Sequence, residues 1–169
     1  QALMDWDFVA RVREFAEIPV VLKGIQCAAD AELAVKHGAG AIWISNHGGR
    51  HLDHARPTLE VLREIAPVVA GRAPIVVDGG FMRGSDFIKA LAFGATAVAV
   101  GRMQAYALAA DGAAGIRRYL EIVEEEMQTT MAMLGVTKLA ELNASYLERL
   151  GADGTARRPF PQLPEHINI

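Results

Sequence analysis

Four short apolar runs rich in β-branched residues limit, more than any other feature, how this chain can fold. They are Ile18–Leu22, Ala41–Ser45, Pro74–Val77 and Ala97–Val100. None of them alternates between apolar and polar residues, so we expect strands that are buried on both faces. The segments between successive runs have helical character. The order therefore predicts repeated βα units and a parallel sheet.

Helix signals fill the gaps between the runs and dominate the second half of the chain. Glycines at positions 38, 94 and 135 are the predicted helix stops. The predicted helices are Ala28–His37, Thr58–Val69, Gly84–Phe93, Met103–Ala110 and Ala113–Leu134, with a short one over Lys138–Leu142. The stretch Gly151–Ile169 is predicted to be an irregular tail. No linker stands out, so we predict a single domain over residues 1–169.

Four βα units make half of a (β/α)8 barrel, because a complete barrel takes about 250 residues and this chain has 169. We therefore predict an α/β fold of the TIM-barrel type. Four parallel strands alone would leave two open sheet edges, which proteins rarely expose. Three arrangements remain open: a partner half outside this chain, an open doubly wound sheet, or two copies that close one barrel.

Composition excludes several classes of partner. Hydrophobic residues make up 51% of the chain and charged residues 22%, which suits a packed core. The formal charge of −3, without a long basic run, argues against nucleic acid or an anionic membrane as a partner. No stretch approaches the ~20 apolar residues of a membrane span. Cys27 is the single cysteine, so no intrachain disulfide can form, and we expect a cytoplasmic location.

Polar residues follow every predicted strand, at the point where the strand ends. The four strand ends read Lys23-Gly24, Ser45-Asn46-His47-Gly48-Gly49-Arg50, Asp78-Gly79-Gly80 and Gly101-Arg102. In parallel βα proteins the carboxyl ends of the strands form the functional side of the sheet. Charged residues directly after buried strands are costly unless they meet a ligand or each other. The sequence therefore predicts a binding site at this side.

The turn after the second strand carries the residues best suited to acid–base chemistry. His47 can take a proton near neutral pH, and Arg50 can hold a carboxylate through two parallel hydrogen bonds. Together they suit an acid that loses a proton beside its carboxylate. The alternative is a histidine that only caps the strand end, with Arg50 paired to Asp53. Lys23 likewise is either paired with a neighbouring acid or a fixed charge beside an electron-accepting cofactor.

The glycines after the third and fourth strands suggest a phosphate site, because backbone N–H groups in such turns bind phosphate oxygens. Arg83 and Arg102 would add positive charge. In (β/α)8 enzymes the phosphate site often follows the last two strands. His51 and His54 lie near His47, but in a glycine turn with no carboxylate set beyond Asp53, so no metal site is predicted.

The four strand-end motifs together closely resemble those of the FMN-dependent 2-hydroxy-acid oxidases and dehydrogenases. The likeness runs from about Trp6 to about Leu147, and the string Ser45-Asn46-His47-Gly48-Gly49-Arg50 is its most specific part. The resemblance implies that this chain supplies the last four βα units of the barrel plus the C-terminal helices. It also implies FMN as cofactor, a small 2-hydroxy acid as substrate, and a homo-oligomer, commonly a tetramer in the family.

The resemblance further implies a role for each matching residue. His47 would be the active-site base, and Arg50, with His47, would bind the substrate. The remaining matches would hold the flavin: Lys23 at its N1/C2-carbonyl side, Ser45 against it, Asp78, Gly79 and Gly80 along it, and Gly101 and Arg102 at its phosphate. Whether electrons leave as hydride or through a carbanion is open at this point.

Two departures from the family pattern lead to further expectations. The family reads Asp-Gly-Gly-x-Arg-x-Gly, but Met82 stands at that arginine position and Arg83 follows it. Either Arg83 substitutes as a phosphate contact or that contact is lost, and we expect weaker FMN retention than is usual in the family. The family's first four strands are also absent. We therefore expect this chain to begin at a cleavage or a disordered break near Gln1 and to associate with a separate N-terminal half.

Two other functions remain open. A non-catalytic flavin- or phosphate-binding half-barrel would explain Lys23 and the glycine pairs equally well, but only catalysis requires His47 and Arg50 together. An isomerase-like phosphate barrel is a third reading, against which the Ser-Asn-His-Gly-Gly-Arg string argues.

Overall fold

The structure, a computed structural model, describes residues 4–15 and 17–148. Within these residues four strands alternate with helices. The strands are β1 (Val21–Ile25), β2 (Ala41–Ile44), β3 (Ile75–Val77) and β4 (Ala97–Val98), and the helices are α1 (Trp6–Phe15), α2 (Ala28–Lys36), α3 (Thr58–Val69), α4 (Gly84–Ala92) and α5 (Arg102–Leu134). The tail predicted over 151–169 lies outside the described residues, so the single domain over 1–169 stays a prediction.

All four strands are parallel and lie in the sheet in the order β1-β2-β3-β4. Each strand is followed by a helix, which confirms the predicted series of βα units. A doubly wound sheet reverses its strand order at a switch point. The consecutive order seen here is instead that of one wall of a (β/α)8 barrel.

The hydrophobic core lies on one face of this sheet. Ile42 and Ile44 on β2 are 0% exposed, and Ile75 and Val77 on β3 are 3% and 0% exposed. Residues two apart on a strand point to the same face, so these four side chains form one aliphatic layer. That layer is part of one buried cluster with apolar residues of α2 and α3.

The edge strands differ from the sequence prediction. Val21 on β1 is 45% exposed and Ala97 on β4 is also exposed, so the expectation of burial on both faces is wrong for β1 and β4. The placement of β1 is wrong as well, because it covers Val21–Ile25 and not Ile18–Leu22. Lys23 lies inside the strand, paired with Trp43, and the register shifts between Lys23 and Ile25.

The helices follow the predicted stops closely. Gly38 and Gly94 have φ of +73° and +97° just after α2 and α4, as expected for helix-terminating glycines. The two helices predicted on either side of position 112 form α5, which is interrupted by non-helical backbone at Asp111 and Gly112. Helix α1 was not predicted. The short helix predicted over Lys138–Leu142 is a single 3₁₀ turn, Leu139–Glu141.

Within the part of the chain described here, no helix combines the length and apolar character that a membrane crossing requires.

Candidate active site

A cleft of about 600 Å³ opens at the carboxyl ends of the strands. Seven of the predicted site residues line it: His47, Arg50, Asp78, Gly79, Gly80, Gly101 and Arg102. The cleft also includes residues that the sequence did not single out for it, among them Trp43, Met82 and Tyr106. The turns after β2, β3 and β4 therefore converge on one space, as their strand-end positions predicted.

The Ser45 hydroxyl joins three of the strand ends. Its side chain is buried, with 1% of the residue exposed. The oxygen accepts hydrogen bonds from the Lys23 ammonium at 2.8 Å and from the His47 backbone N–H at 3.2 Å. It donates to the Asp78 carboxylate at 2.7 Å. Because a hydroxyl has one donor and two lone pairs, this buried group is fully satisfied.

Lys23 forms an ion pair with Asp78, with Nζ 3.1 Å from Oδ2. Their side chains are 38% and 18% exposed. Lys23 and Ser45 do not line the cleft themselves but reach its wall through Asp78. An ammonium has three N–H donors, and the contacts to Ser45 and Asp78 account for two. The third remains for a ligand, so pairing with an acid does not exclude a cofactor contact by Lys23.

The turn that carries His47 has left-handed backbone at three successive residues. The φ angles are +53° at His47, +65° at Gly48 and +74° at Gly49. A left-handed residue other than glycine costs about 1–2 kcal/mol, so other contacts must hold His47 in place. The Asn46 side-chain oxygen does so by accepting a hydrogen bond from the Gly48 N–H at 2.9 Å. The imidazole is exposed at the cleft, and the ring of His51 packs against it edge-on at 4.5 Å.

Gly79 packs directly against the turn that carries His47. Its φ is +101°, and a Cβ atom built on it would lie 2.6 Å from the Asn46 side-chain oxygen. The Thr58 hydroxyl, which is buried at the start of α3, donates to the Gly79 carbonyl at 3.0 Å. Asn46 and Thr58 thus brace the site, and sequence reasoning missed both roles. The only signal for Thr58 was a hydroxyl residue at a predicted helix start.

Arg50 and Arg102 bring positive charge to the cleft. Neither guanidinium makes an ion pair with any residue among those described. The alternative pairing of Arg50 with Asp53 is not observed, since Asp53 instead lies 3.7 Å from His54. Two arginines without a carboxylate partner favour an anionic ligand in this space.

Arg83 lies apart from the cleft. Its Nε donates to the Glu126 carboxylate at 2.7 Å, a second guanidinium nitrogen contacts the same oxygen, and the Gly84 N–H donates to the other oxygen at 2.8 Å. These hydrogen bonds hold the pKa of Glu126 below its usual range, and the carboxylate raises the pKa of Arg83. Arg83 does not line the cleft and its guanidinium pairs with Glu126, so the phosphate contact by Arg83 stays a prediction. Met82 lines the cleft in its place.

The fold and the cleft together define a parallel α/β protein of the barrel type, with a cleft lined by Arg50 and Arg102 at the carboxyl side of its strands. Among the described residues, no group of three or more His, Cys, Asp or Glu side chains is arranged to hold a metal ion.

The family model described as FMN-dependent dehydrogenase matches residues 1–149. Glycolate oxidase 1 of Oryza sativa subsp. indica is 43% identical over 160 residues, which are 95% of this chain and 43% of that protein. The L-lactate oxidase of Nostoc sp. is 42% identical over 144 residues, which are 85% of this chain and 40% of that protein. The chain thus spans less than half the length of these curated relatives.

Solved structures give the same result. A mandelate oxidase with benzoyl-formic acid superposes with a TM-score of 0.79 and 46% sequence identity, over 82% of this chain and 42% of that one. A mandelate oxidase variant that carries a monooxide FMN adduct matches over 82% of this chain and 44% of that one. The chain belongs to the FMN-dependent dehydrogenase family. The predicted partial (β/α)8 barrel is thereby confirmed.

The residues of the cleft fit a flavin mononucleotide. Nothing lies within 4 Å of a Cβ atom built on Gly80 or Gly101, so a ligand can approach the backbone at both turns. Gly80 and Arg102 lie in the same cleft, where backbone N–H groups and a guanidinium suit a phosphate. Lys23, paired with Asp78 in the wall of the cleft, would add positive charge beside the bound group.

Proposed function

We propose that the complete protein containing this chain oxidises a small 2-hydroxy acid to the 2-oxo acid with FMN. The electrons then pass to oxygen or to another acceptor. One observation carries the proposal: His47 and Arg50, from a single turn, line the same cleft as Asp78, Gly80 and Arg102. A base and a carboxylate clamp thus lie beside groups that suit a phosphate-bearing cofactor. The names of the similar proteins support the same chemistry.

The residues of this chain divide the work between them. Arg50 holds the substrate carboxylate through paired hydrogen bonds, which places the carbon that bears the hydroxyl group next to His47. An imidazole nitrogen of His47 takes one proton as the substrate becomes a 2-oxo acid. When bound, FMN would supply the acceptor for the two electrons and for the second proton that the substrate loses. Lys23, held by Ser45 and Asp78, places positive charge where the accepted electrons add negative charge.

Three further proposals concern the complete protein. The face of the sheet opposite α2 and α3 and the open edges of β1 and β4 suit packing against the other half of a barrel. Val21 on β1 and Ala97 on β4 are exposed at these edges. Assembly into a homo-oligomer, as a tetramer, rests on the family resemblance. A cytoplasmic location rests on the presence of a single cysteine.

Anaerobic mixing of the FMN-loaded complete protein with lactate, glycolate or mandelate tests the proposed function. We expect at least one of these acids to bleach the flavin absorbance. The His47→Gln variant should keep its colour and reduce flavin about 10³-fold more slowly, within the usual range for a lost general base. His37→Gln, at the end of α2, is the matched control and should behave as the wild type. A coloured wild-type protein that no 2-hydroxy acid bleaches would instead identify a flavin-binding module without this activity.

A further inference from the structure

Trp43 occupies an unusual place in the sheet. It lies in β2 between Ile42 and Ile44, which are both 0% exposed in the core, yet it points to the other face and lines the cleft. In the parallel register its partners are Lys23 on β1 and Val76 on β3. Asp78 follows Val76 by two residues. Lys23, Trp43 and Asp78 therefore meet on one face of the sheet.

The indole contacts both members of the Lys23–Asp78 ion pair, each in a different way. Its Nε1–H donates to Asp78 Oδ2 at 2.9 Å. The Lys23 ammonium lies 5.1 Å from the centroid of the ring, within range of a cation–π interaction. The same Oδ2 atom forms the ion pair with Lys23, at 3.1 Å from Nζ. One side chain thus contacts the charge, the countercharge and the cleft.

The ion pair needs such support to hold its geometry. Lys23 is 38% exposed, and an ion pair this open to water is weak when it stands alone. A lysine side chain also has four rotatable bonds and therefore many possible rotamers. The ring offers Lys23 a surface that restricts this choice. The indole N–H and the Ser45 hydroxyl each hold one oxygen of Asp78, which fixes the plane of the carboxylate.

We propose that Trp43 is a positioning residue that holds Lys23 and Asp78 in the arrangement in which they meet the flavin. This inference rests on the proposed function in one respect, that FMN binds in this cleft. Trp43 itself performs no step of the reaction. It keeps the third N–H donor of Lys23 directed at the cofactor, and so sets how strongly the site stabilises negative charge on the flavin.

The affinity of bound, oxidised FMN for sulfite measures this effect without any substrate. Sulfite adds to flavins and leaves negative charge on the ring, so its affinity reports the positive charge beside the ring. Trp43→Phe keeps the aromatic face and loses the N–H donor, whereas Trp43→Leu loses both. Trp6→Phe is the matched control, because Trp6 lies in α1 and stacks on His37 with ring centroids 5.5 Å apart.

In the complete FMN-loaded protein, we expect the sulfite Kd to rise about threefold in Trp43→Phe, as for a typical lost hydrogen bond. It should rise about tenfold in Trp43→Leu, where the cation–π contact is lost as well. Trp6→Phe should leave it unchanged. A Trp43→Phe protein with wild-type sulfite affinity overturns the assignment of the N–H, and an unchanged Trp43→Leu protein overturns the proposal as a whole.

The outcomes separate this inference from the proposed function. A protein that binds FMN but is not reduced by any 2-hydroxy acid overturns the proposed function alone, because sulfite affinity still ranks the Trp43 variants. A protein that is reduced normally, with variants equal to the wild type, overturns the inference alone. If Trp43→Leu fails to fold, Trp43→Phe takes its place, and an unchanged sulfite affinity in Trp43→Phe then overturns the proposal as a whole. A complete protein that binds no FMN overturns both.

Discussion

The two faces of the four-stranded sheet are built on opposite principles. The face toward α2 and α3 carries aliphatic side chains alone at Ile42, Ile44, Ile75 and Val77, all nearly or fully buried. The opposite face carries Lys23, Trp43 and Ser45, with Asp78 at its end, joined by hydrogen bonds and an ion pair. The same short strands supply both, because alternate residues point to opposite faces.

This difference shows how one set of strands separates stability from chemistry. On the aliphatic face, removal of any buried methyl group lowers the free energy of unfolding of the protein, whichever residue carries that group. The polar face tolerates charge because its groups satisfy one another: Ser45 is 1% exposed and has every hydrogen-bonding position filled. Substitutions on the aliphatic face should therefore mainly lower the free energy of unfolding, and substitutions on the polar face should mainly change ligand binding.

Truncation of a core aliphatic side chain gives the largest expected effect. Ile44→Ala should lower the free energy of unfolding of the complete protein by about 3 kcal/mol, because Ile44 is fully buried. Val76→Ala, on the opposite face and only partly buried, should cost about 1 kcal/mol. Denaturant unfolding measures both. Equal losses would show that the two faces do not differ as described.

A change on the ligand face should alter substrate binding without altering stability. Arg50→Lys should raise the KM for the 2-hydroxy acid about tenfold, since lysine cannot form the paired hydrogen bonds to a carboxylate. FMN content and unfolding should stay as in the wild type. Arg56→Lys is the matched control, because the Arg56 guanidinium pairs with Glu64 outside the cleft. A KM that is unchanged in Arg50→Lys would remove Arg50 from substrate binding.

A substitution at Met82 tests whether the affinity for FMN can be raised. Met82→Arg would add a third guanidinium to the cleft that Arg50 and Arg102 line, and we expect FMN affinity to rise roughly fivefold through a charged hydrogen bond to phosphate. Riboflavin, which lacks the phosphate, should bind as before. The control is Met133→Arg, because Met133 is 85% exposed on α5 and outside the cleft. A parallel rise for riboflavin would show that the added arginine acts elsewhere.

The smallest expected effect concerns the Arg83–Glu126 pair outside the cleft. Because Arg83 and the Gly84 N–H lower the pKa of Glu126, this carboxylate stabilises the fold above the pKa of an unfolded glutamate. That stability is lost as the pH falls through the lower, folded value. Glu126→Gln should therefore flatten the acid limb of the unfolding free energy against pH and leave FMN affinity unchanged. A loss of FMN instead would return Arg83 to the phosphate site.

The sequence predicted the central parts of the fold well and its edges poorly. Strands β2 and β3 lie where their β-branched runs predicted, because burial against α2 and α3 demands those residues. At β1 the sequence prediction stopped at Leu22, since Lys23 and Gly24 looked like a strand end. In the structure the backbone pairing with β2 includes Lys23, passes over Gly24 and resumes at Ile25, and the edge leaves the lysine room to reach Ser45.

The site was predictable where chemistry requires particular residue types, and not where packing assigns a role. His47, Arg50 and Arg102 stand in motifs at strand ends and do line one cleft. The ion pair of Arg83 with Glu126 was not predicted, because Glu126 lies far away in the sequence and only the packing of α4 on α5 brings the two side chains together. The contacts of Trp43 and Thr58 depend in the same way on residues from neighbouring units.

A crystal structure of the complete protein with FMN and a 2-oxo acid bound is the most direct measurement. We predict the isoalloxazine ring within hydrogen-bond distance of Lys23 Nζ, the phosphate at Gly101 and Arg102, and the acid's carboxylate on Arg50 with the His47 imidazole next to its 2-oxo group. A flavin seated elsewhere, or an imidazole and a guanidinium that face different ligands, would contradict the account.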